Sequence, residues 1–139
     1  MKGLIEDVNL KNNILNKFVD RFVLCNYTFV NPATGGLKLL WCNFKDECKI
    51  YSTDKLFKFN IKISNNIYFY SERTQEMYFT DFNDVCSFVN NLEPWDVIDA
   101  EIFDDSLEWV IAITHEDVSK VYGINVTIDE YDYEKDMTQ

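Results

Sequence analysis

Two stretches of the chain show the spacing of amphipathic helices. From Leu10 to Phe22, apolar side chains recur every three or four positions, and Lys and Asn occupy most positions between them. This spacing predicts a first helix over residues 8–25. A second apolar stripe runs from Phe82 to Leu92, where Asp81 suits the N-cap and Asp84 suits an acidic first turn. The sequence therefore predicts an N-terminal helix and a central helix.

Outside these helices, apolar and polar residues alternate in the manner of half-buried β-strands. The clearest alternation starts at Phe57 and ends at Ile63, where the intervening Lys and Asn residues would form a solvated face. The clearest turn signal is the Asn-Pro-Ala-Thr-Gly-Gly segment at residues 31–36. The predicted strands cover residues 37–44, 56–63, 67–71, 77–79, 97–103, 107–113 and 124–128.

The Thr-His-Glu-Asp segment at residues 114–117 has the form of a helix capping box in which Asp replaces the usual Glu. We expect Thr114 to begin a short helix that ends before Gly123. Tight turns join most of the predicted strands, which favours an antiparallel sheet. The pattern predicts a single α+β domain over residues 1–128, in which an antiparallel meander packs with the N-terminal and central helices. Residues 129–139 are expected to form an acidic, flexible tail.

Charge is distributed unevenly along the 139 residues. Residues 1–73 carry 11 basic and 7 acidic side chains, a net charge of +4, whereas residues 74–139 carry 2 basic and 17 acidic ones, a net charge of −15. An acidic surface attracts basic partners and repels nucleic acids and anionic membranes. We therefore expect a basic protein as the partner, with no direct contact to nucleic acid and none to a membrane.

The sequence shows neither a targeting segment nor a cofactor motif. Carboxylates appear by Glu6, and the longest apolar runs, about five residues, are far shorter than a bilayer requires. We expect a cytoplasmic protein.

The four cysteines form no Cys-x-x-Cys pair, and a single histidine cannot complete an ordinary Cys/His zinc site. We expect buried, reduced thiols, no bound metal and no cofactor.

The predicted hairpin at residues 97–113 carries most of the candidate contact residues. Asp99 and Glu101 alternate with apolar residues, so both carboxylates are expected on one solvated strand face. Asp104, Asp105 and Glu108 extend the acidity through the turn. Three interpretations are open: a surface that is merely solvated, a surface that receives a basic partner, and a carboxylate pair that binds a metal ion or acts on glycosides.

Two tryptophans flank this hairpin. Trp109 lies on the apolar face of its predicted strand and is expected in the core. Trp95 follows Pro94 at the end of the central helix. It is the better candidate for an exposed anchor, because tryptophan buries a large area in protein interfaces.

The only histidine, His115, follows a predicted strand and precedes Glu116 and Asp117. Histidine beside carboxylates can act as a general base. In the simpler interpretation, Thr114 caps a helix whose first turn carries the acids that the helix dipole favours. The chain has no Gly-x-Ser-x-Gly or other nucleophile motif, so we assign no catalytic residue.

In size, acidity and compact α+β pattern, the chain resembles small acidic bacterial immunity proteins, the antidotes of contact-dependent and polymorphic toxins. The resemblance is carried by the acidic hairpin at residues 99–109 and by the segment at residues 114–117. It implies that acidic and aromatic residues block the active site of a basic nuclease toxin.

The leading hypothesis is therefore a non-enzymatic protein that binds and neutralises a basic protein. The alternatives are a small enzyme that uses His115 with Glu116 or Asp117, and a phage-type inhibitor or nucleic-acid mimic. The expected partner-binding residues are Trp95, Asp99, Glu101, Asp104, Asp105, Glu108, Glu116 and Asp117.

Overall fold

The fold is α+β, with helices on both faces of an antiparallel sheet. The computed structural model describes residues 1–24, 38–58, 63 and 65–127. These residues form three α-helices, one 3-10 turn and six strands. The helices are α1 (Val8–Phe22), α2 (Thr53–Leu56) and α3 (Phe82–Asn90), and the 3-10 turn is Leu40–Asn43. The strands are β1 (Lys49–Ser52), β2 (Ile67–Ser71), β3 (Glu76–Thr80), β4 (Ala100–Phe103), β5 (Val110–Ile113) and β6 (Val118–Tyr122).

The six strands lie in the order β1-β6-β5-β4-β2-β3, and every neighbouring pair is antiparallel. The N-terminal segment covers the outer edge of β3, because Ile5 N donates to Met77 O and Phe79 N donates to Gly3 O, both at 2.8 Å. Covering an edge in this way removes unpaired backbone groups that could recruit another chain. β4 and β5 lie in the middle of the sheet and are buried along their whole length.

Each face of the sheet is covered by its own hydrophobic cluster. On one face, Phe69, Ile102 and Ile111 pack with the buried stripe of α3. On the other face, Tyr68 and Phe103 pack with a second cluster. Because side chains alternate along a strand, neighbours in one strand point to different clusters. The second cluster consists of Leu15, Phe18, Phe22, Val23, Leu40, Tyr68, Tyr70, Met77, Phe103 and Val110.

Both predicted helices form. The side chain of Asp7 caps α1 by accepting from the amides of Asn9 and Leu10, and Asp81 caps α3 by accepting from Asp84 N. The helix α1 ends at Phe22 rather than at residue 25, because Val23 turns to an extended conformation and bridges to Phe44. The meander at residues 67–71 and 77–79 is present as β2 and β3.

Several local predictions were wrong. The described part of the predicted strand at 37–44 contains the 3-10 turn, and residues 53–56 form α2, so no strand begins at Leu56. Residues 114–117 form a β-turn with Asp117 at φ 63°, and Val118–Tyr122 is strand β6, so the helix expected from Thr114 to before Gly123 is absent. Ile124 and Val126 pack on the first cluster without forming a strand, and β1 was not predicted.

Other expectations fall outside the described residues: the turn at 31–36, residues 59–62 of the second predicted strand, Cys25, and the tail at 129–139. Cys42, Cys48 and Cys86 are free thiols, but none is fully buried as expected: Cys42 is exposed, and Cys48 and Cys86 are half-buried. Among the described residues, no helix combines the length and the apolar character that crossing a membrane requires.

Candidate functional site

The sheet separates the candidate acidic residues into two groups. Asp104, Asp105 and Glu108 belong to the β4–β5 turn, which we call the hairpin end. Glu116 and Asp117 belong to the β5–β6 turn, at the opposite end of the same strands. A four-residue strand spans roughly 13 Å. The two groups therefore lie at opposite ends of the strands and do not form one continuous acidic patch.

Asp99 and Glu101, expected on a solvated face, are both fully buried, with 0% of their surface exposed. Neither can contact a partner while the protein is folded. They lie beneath the 3-10 turn at Leu40–Asn43, from which Trp41 donates to Asp99. Alternation in the strand was identified correctly, but the face that carries these acids is covered by a distant part of the chain.

Asp99 is held by four hydrogen bonds. Oδ1 accepts from Trp41 Nε1 at 2.8 Å, from His115 N at 3.1 Å and from His115 Nδ1 at 2.9 Å, while Oδ2 accepts from Arg73 Nε at 2.7 Å. Because a carboxylate only accepts, Nδ1–H of His115 is the donor in this hydrogen bond, and Nε2 is the ring nitrogen that Asp99 does not engage. The ring also lies 5.6 Å from that of Trp41.

A second pair of buried carboxyl groups lies beside Asp99. Glu72 Oε1 accepts from Leu40 N at 2.6 Å, but among the described residues no N–H or hydroxyl group reaches Glu72 Oε2 or either carboxyl oxygen of Glu101. Burial raises the pKa of Glu101 well above its usual value, and the negative charge of Glu72 raises it further. Burial thus favours a protonated Glu101, and a hydrogen bond from this acid to Glu72 would supply a partner for one oxygen of each group.

These buried acids fix the segment at Leu40–Asn43 to the sheet. Leu40 is bonded to Glu72 and Trp41 to Asp99, while Lys120 Nζ donates to Trp41 O at 3.2 Å and lies 5.1 Å from the Trp41 ring centroid. Sequence reasoning missed Glu72 and Trp41 as members of this cluster. No local spacing connects them, since they come from the turn after β2 and from the 3-10 turn.

The hairpin end is ordered by its own polar side chains. Asp104 Oδ1 accepts from Ser106 N at 2.9 Å, and Asp105 Oδ1 accepts from the Tyr68 hydroxyl at 2.9 Å. Burial, together with this hydrogen bond to Asp105, raises the pKa of Tyr68 to about 12. Among the residues that the structure describes, Asp104, Asp105 and Glu108 form no ion pair. No ion pair between described residues therefore neutralises the negative charge of these three carboxylates.

Trp95 is 75% exposed, the most exposed of the large apolar side chains described. It lies in a loop in which Glu93 N donates to Asp96 Oδ2 at 2.8 Å, and the next residue, Val97, is also exposed. This loop leads into β4 from the end that carries Glu116. Trp109, in contrast, is buried in the first cluster, as expected.

His115 is not paired with Glu116 or Asp117, the carboxylates that the sequence places beside it. Its ring is bonded to Asp99, and no described hydrogen bond joins it to Glu116 or Asp117. Within the described ranges, no group of three or more His, Cys, Asp or Glu side chains is placed to hold a metal ion.

Comparisons of the chain with protein families, with curated proteins and with solved structures found no match.

Proposed function

We propose that this protein is a non-enzymatic acidic binding protein that neutralises a basic protein, as an immunity protein neutralises a nuclease toxin. The observation that carries the proposal is the hairpin end, where Asp104, Asp105 and Glu108 lack ion-pair partners among the described residues. The whole chain carries a net charge of −11, so the field around this end is negative.

The fold presents these acids on a rigid support. They join β4 and β5, which are central in the sheet and buried throughout. Hydrogen bonds within the turn and to Tyr68 restrict Asp104 and Asp105 before any partner arrives. A surface that is already ordered loses less conformational entropy on binding, and this favours affinity.

A nuclease must bind phosphate, and its active site is therefore basic. Carboxylates that dock on that site exclude the nucleic acid and accelerate the encounter by electrostatic attraction. In this proposal Asp104, Asp105 and Glu108 supply the charge contacts. A second surface, at the opposite end of the sheet, contains Trp95, Glu116 and Asp117. Asp99 and Glu101 are buried, so they stabilise the fold and do not contact the partner.

The test is a charge reversal with a matched control. Asp105→Lys with Glu108→Lys alters the hairpin end but keeps Asp104, which bonds Ser106. Glu93→Lys with Glu116→Lys makes the same charge change at the exposed opposite end. Both proteins are mixed with basic nuclease toxin domains encoded in the same genome, and association is followed by stopped-flow fluorescence at low and high salt.

We expect the hairpin-end variant to associate about 10-fold to 100-fold more slowly at low salt, with the difference shrinking at high salt. The control variant should lose much less. The proposal fails if the unmodified chain inhibits none of these nucleases, or if both variants associate as fast as the unmodified chain.

A second candidate function is favoured by one observation, the 2.9 Å hydrogen bond between His115 Nδ1 and the buried Asp99. A carboxylate that orients histidine in this way leaves Nε2 available as a general base. An enzyme of this kind would lose turnover in a His115→Ala variant that still folds. A substrate screen in which the unmodified chain shows no turnover would exclude it.

A further inference from the structure

A groove of about 300 Å³ opens beside the acids of the hairpin end. The helix α1 supplies one wall and the β4–β5 turn supplies the other, while side chains of β2 and β4 lie between them. The lining is apolar below and charged at the rim. The apolar lining residues are Ile14, Tyr68, Phe103 and Leu107, and the charged ones are Lys17, Asp104 and Asp105.

The two carboxylates at the rim are held in place, and each keeps an oxygen for a ligand. Asp104 uses Oδ1 to accept from Ser106, and Asp105 uses Oδ1 to accept from Tyr68. No hydrogen bond between described residues uses the Oδ2 atom of either carboxylate. A planar guanidinium group, with five N–H donors in a fixed fork, can bridge two such oxygens.

We infer that this groove binds an arginine side chain of the basic partner, an inference that rests on the proposed function. The apolar lining covers the aliphatic part of the arginine, and the guanidinium group reaches Asp104 and Asp105. Charge complementarity favours a positively charged side chain in the groove, because the two carboxylates at the rim outnumber the single ammonium group of Lys17. An ammonium group is a point charge that cannot span both carboxylates in the same plane, so lysine binds less tightly.

The experiment uses the full chain, labelled with ¹⁵N, and three small probes in an NMR titration. The probes are Nα-acetyl-arginine amide, Nα-acetyl-lysine amide and Nα-acetyl-citrulline amide, the last a neutral analogue of arginine with nearly the same shape. We expect arginine amide to shift the amide signals of Tyr68, Phe103 and residues 104–107 with a Kd on the order of millimolar. Lysine should bind about threefold to tenfold more weakly, and citrulline should give no localised shifts.

Three variants make the test specific. Asp105→Asn should weaken arginine binding about fivefold or more, because it removes one charge-assisted contact. Lys17→Gln should strengthen it about twofold to fivefold, because it removes the repelling ammonium group. Glu93→Gln makes the same charge change as Asp105→Asn at an exposed position at the opposite end of the sheet and should leave binding within about twofold.

The inference is overturned if arginine amide causes no localised shifts, or if citrulline or lysine binds equally well. It is also overturned if Asp105→Asn and Glu93→Gln have the same effect. These outcomes are separable from the proposed function. Failure of the probes with continued nuclease inhibition removes the groove alone, whereas arginine binding by a chain that inhibits no basic nuclease removes the proposed function.

Discussion

Replacing Glu101 with Gln should remove most of a pH dependence that the buried acid pair imposes on folding. Glu101 is fully buried, and burial together with the charge of Glu72 raises its pKa well above the ordinary value of 4.5. The folded protein therefore holds a proton that the unfolded chain releases above pH 4.5. Unfolding releases this proton, so rising pH favours the unfolded state and lowers the free energy of unfolding.

The magnitude follows from the number of protons released. One proton that is bound in the folded state and not in the unfolded state lowers the free energy of unfolding by about 1.4 kcal/mol per pH unit. This loss continues from pH 4.5 up to the folded-state pKa of the pair. Glutamine is neutral at all these pH values and can still donate to Glu72, so Glu101→Gln should flatten the decline.

Glutamine also adds an N–H group that the acid lacks, and an unpartnered buried donor costs about 1–3 kcal/mol. This cost is the same at every pH, so the slope distinguishes it from the proton effect. The assay is urea unfolding followed by tryptophan fluorescence at several pH values from 5.5 to about 8. The control, Glu108→Gln, makes the same substitution at an exposed position and should follow the unmodified chain. Parallel pH curves for the unmodified protein and Glu101→Gln would refute a protonated Glu101.

Two further substitutions test the hydrogen bonds of Asp99 and the close packing of Gly123. Asp99→Asn keeps the size of the side chain but puts an NH₂ group where Arg73 or His115 now donates. We expect the free energy of unfolding, measured with urea at pH 7, to fall by about 2–4 kcal/mol. A fall below about 0.5 kcal/mol would contradict the hydrogen bonds assigned to Asp99. Gly123→Ala should destabilise by about 1–3 kcal/mol in thermal unfolding, because Gly123 has φ 81° and a Cβ there would overlap the carbonyl oxygen of Glu108. An unchanged melting temperature would show that this close approach is absent.

Local sequence signals determined much of the secondary structure. The stripe of α3 and its N-cap at Asp81 lie within one short segment, so periodicity and capping chemistry identified the helix. The β2–β3 pair was likewise predicted from two short apolar and aromatic runs on both sides of a turn. The α+β class followed, because these elements are joined by short connections.

Where a short segment supports two conformations, sequence was a weaker guide. The capping-box pattern at Thr114 suits both a helix start and a tight turn. Pairing of β6 with β1 and β5 selects the turn, since the backbone of Val118–Tyr122 then forms hydrogen bonds on both sides. The preference thus comes from strands that are distant in sequence, and no local propensity contains it.

The charge of the C-terminal half and the exposure of the hairpin turn were also accessible from sequence, since turns between strands lie at the surface. The burial of Asp99 and Glu101 was not. Alternation states which residues share a face of a strand, but it does not state what covers that face. Here the segment at Leu40–Asn43, about 60 residues earlier in the chain, lies over the acids and bonds to them. The sequence thus determined that acidic residues are concentrated around this hairpin, and the tertiary structure decided which of them face solvent and which are buried.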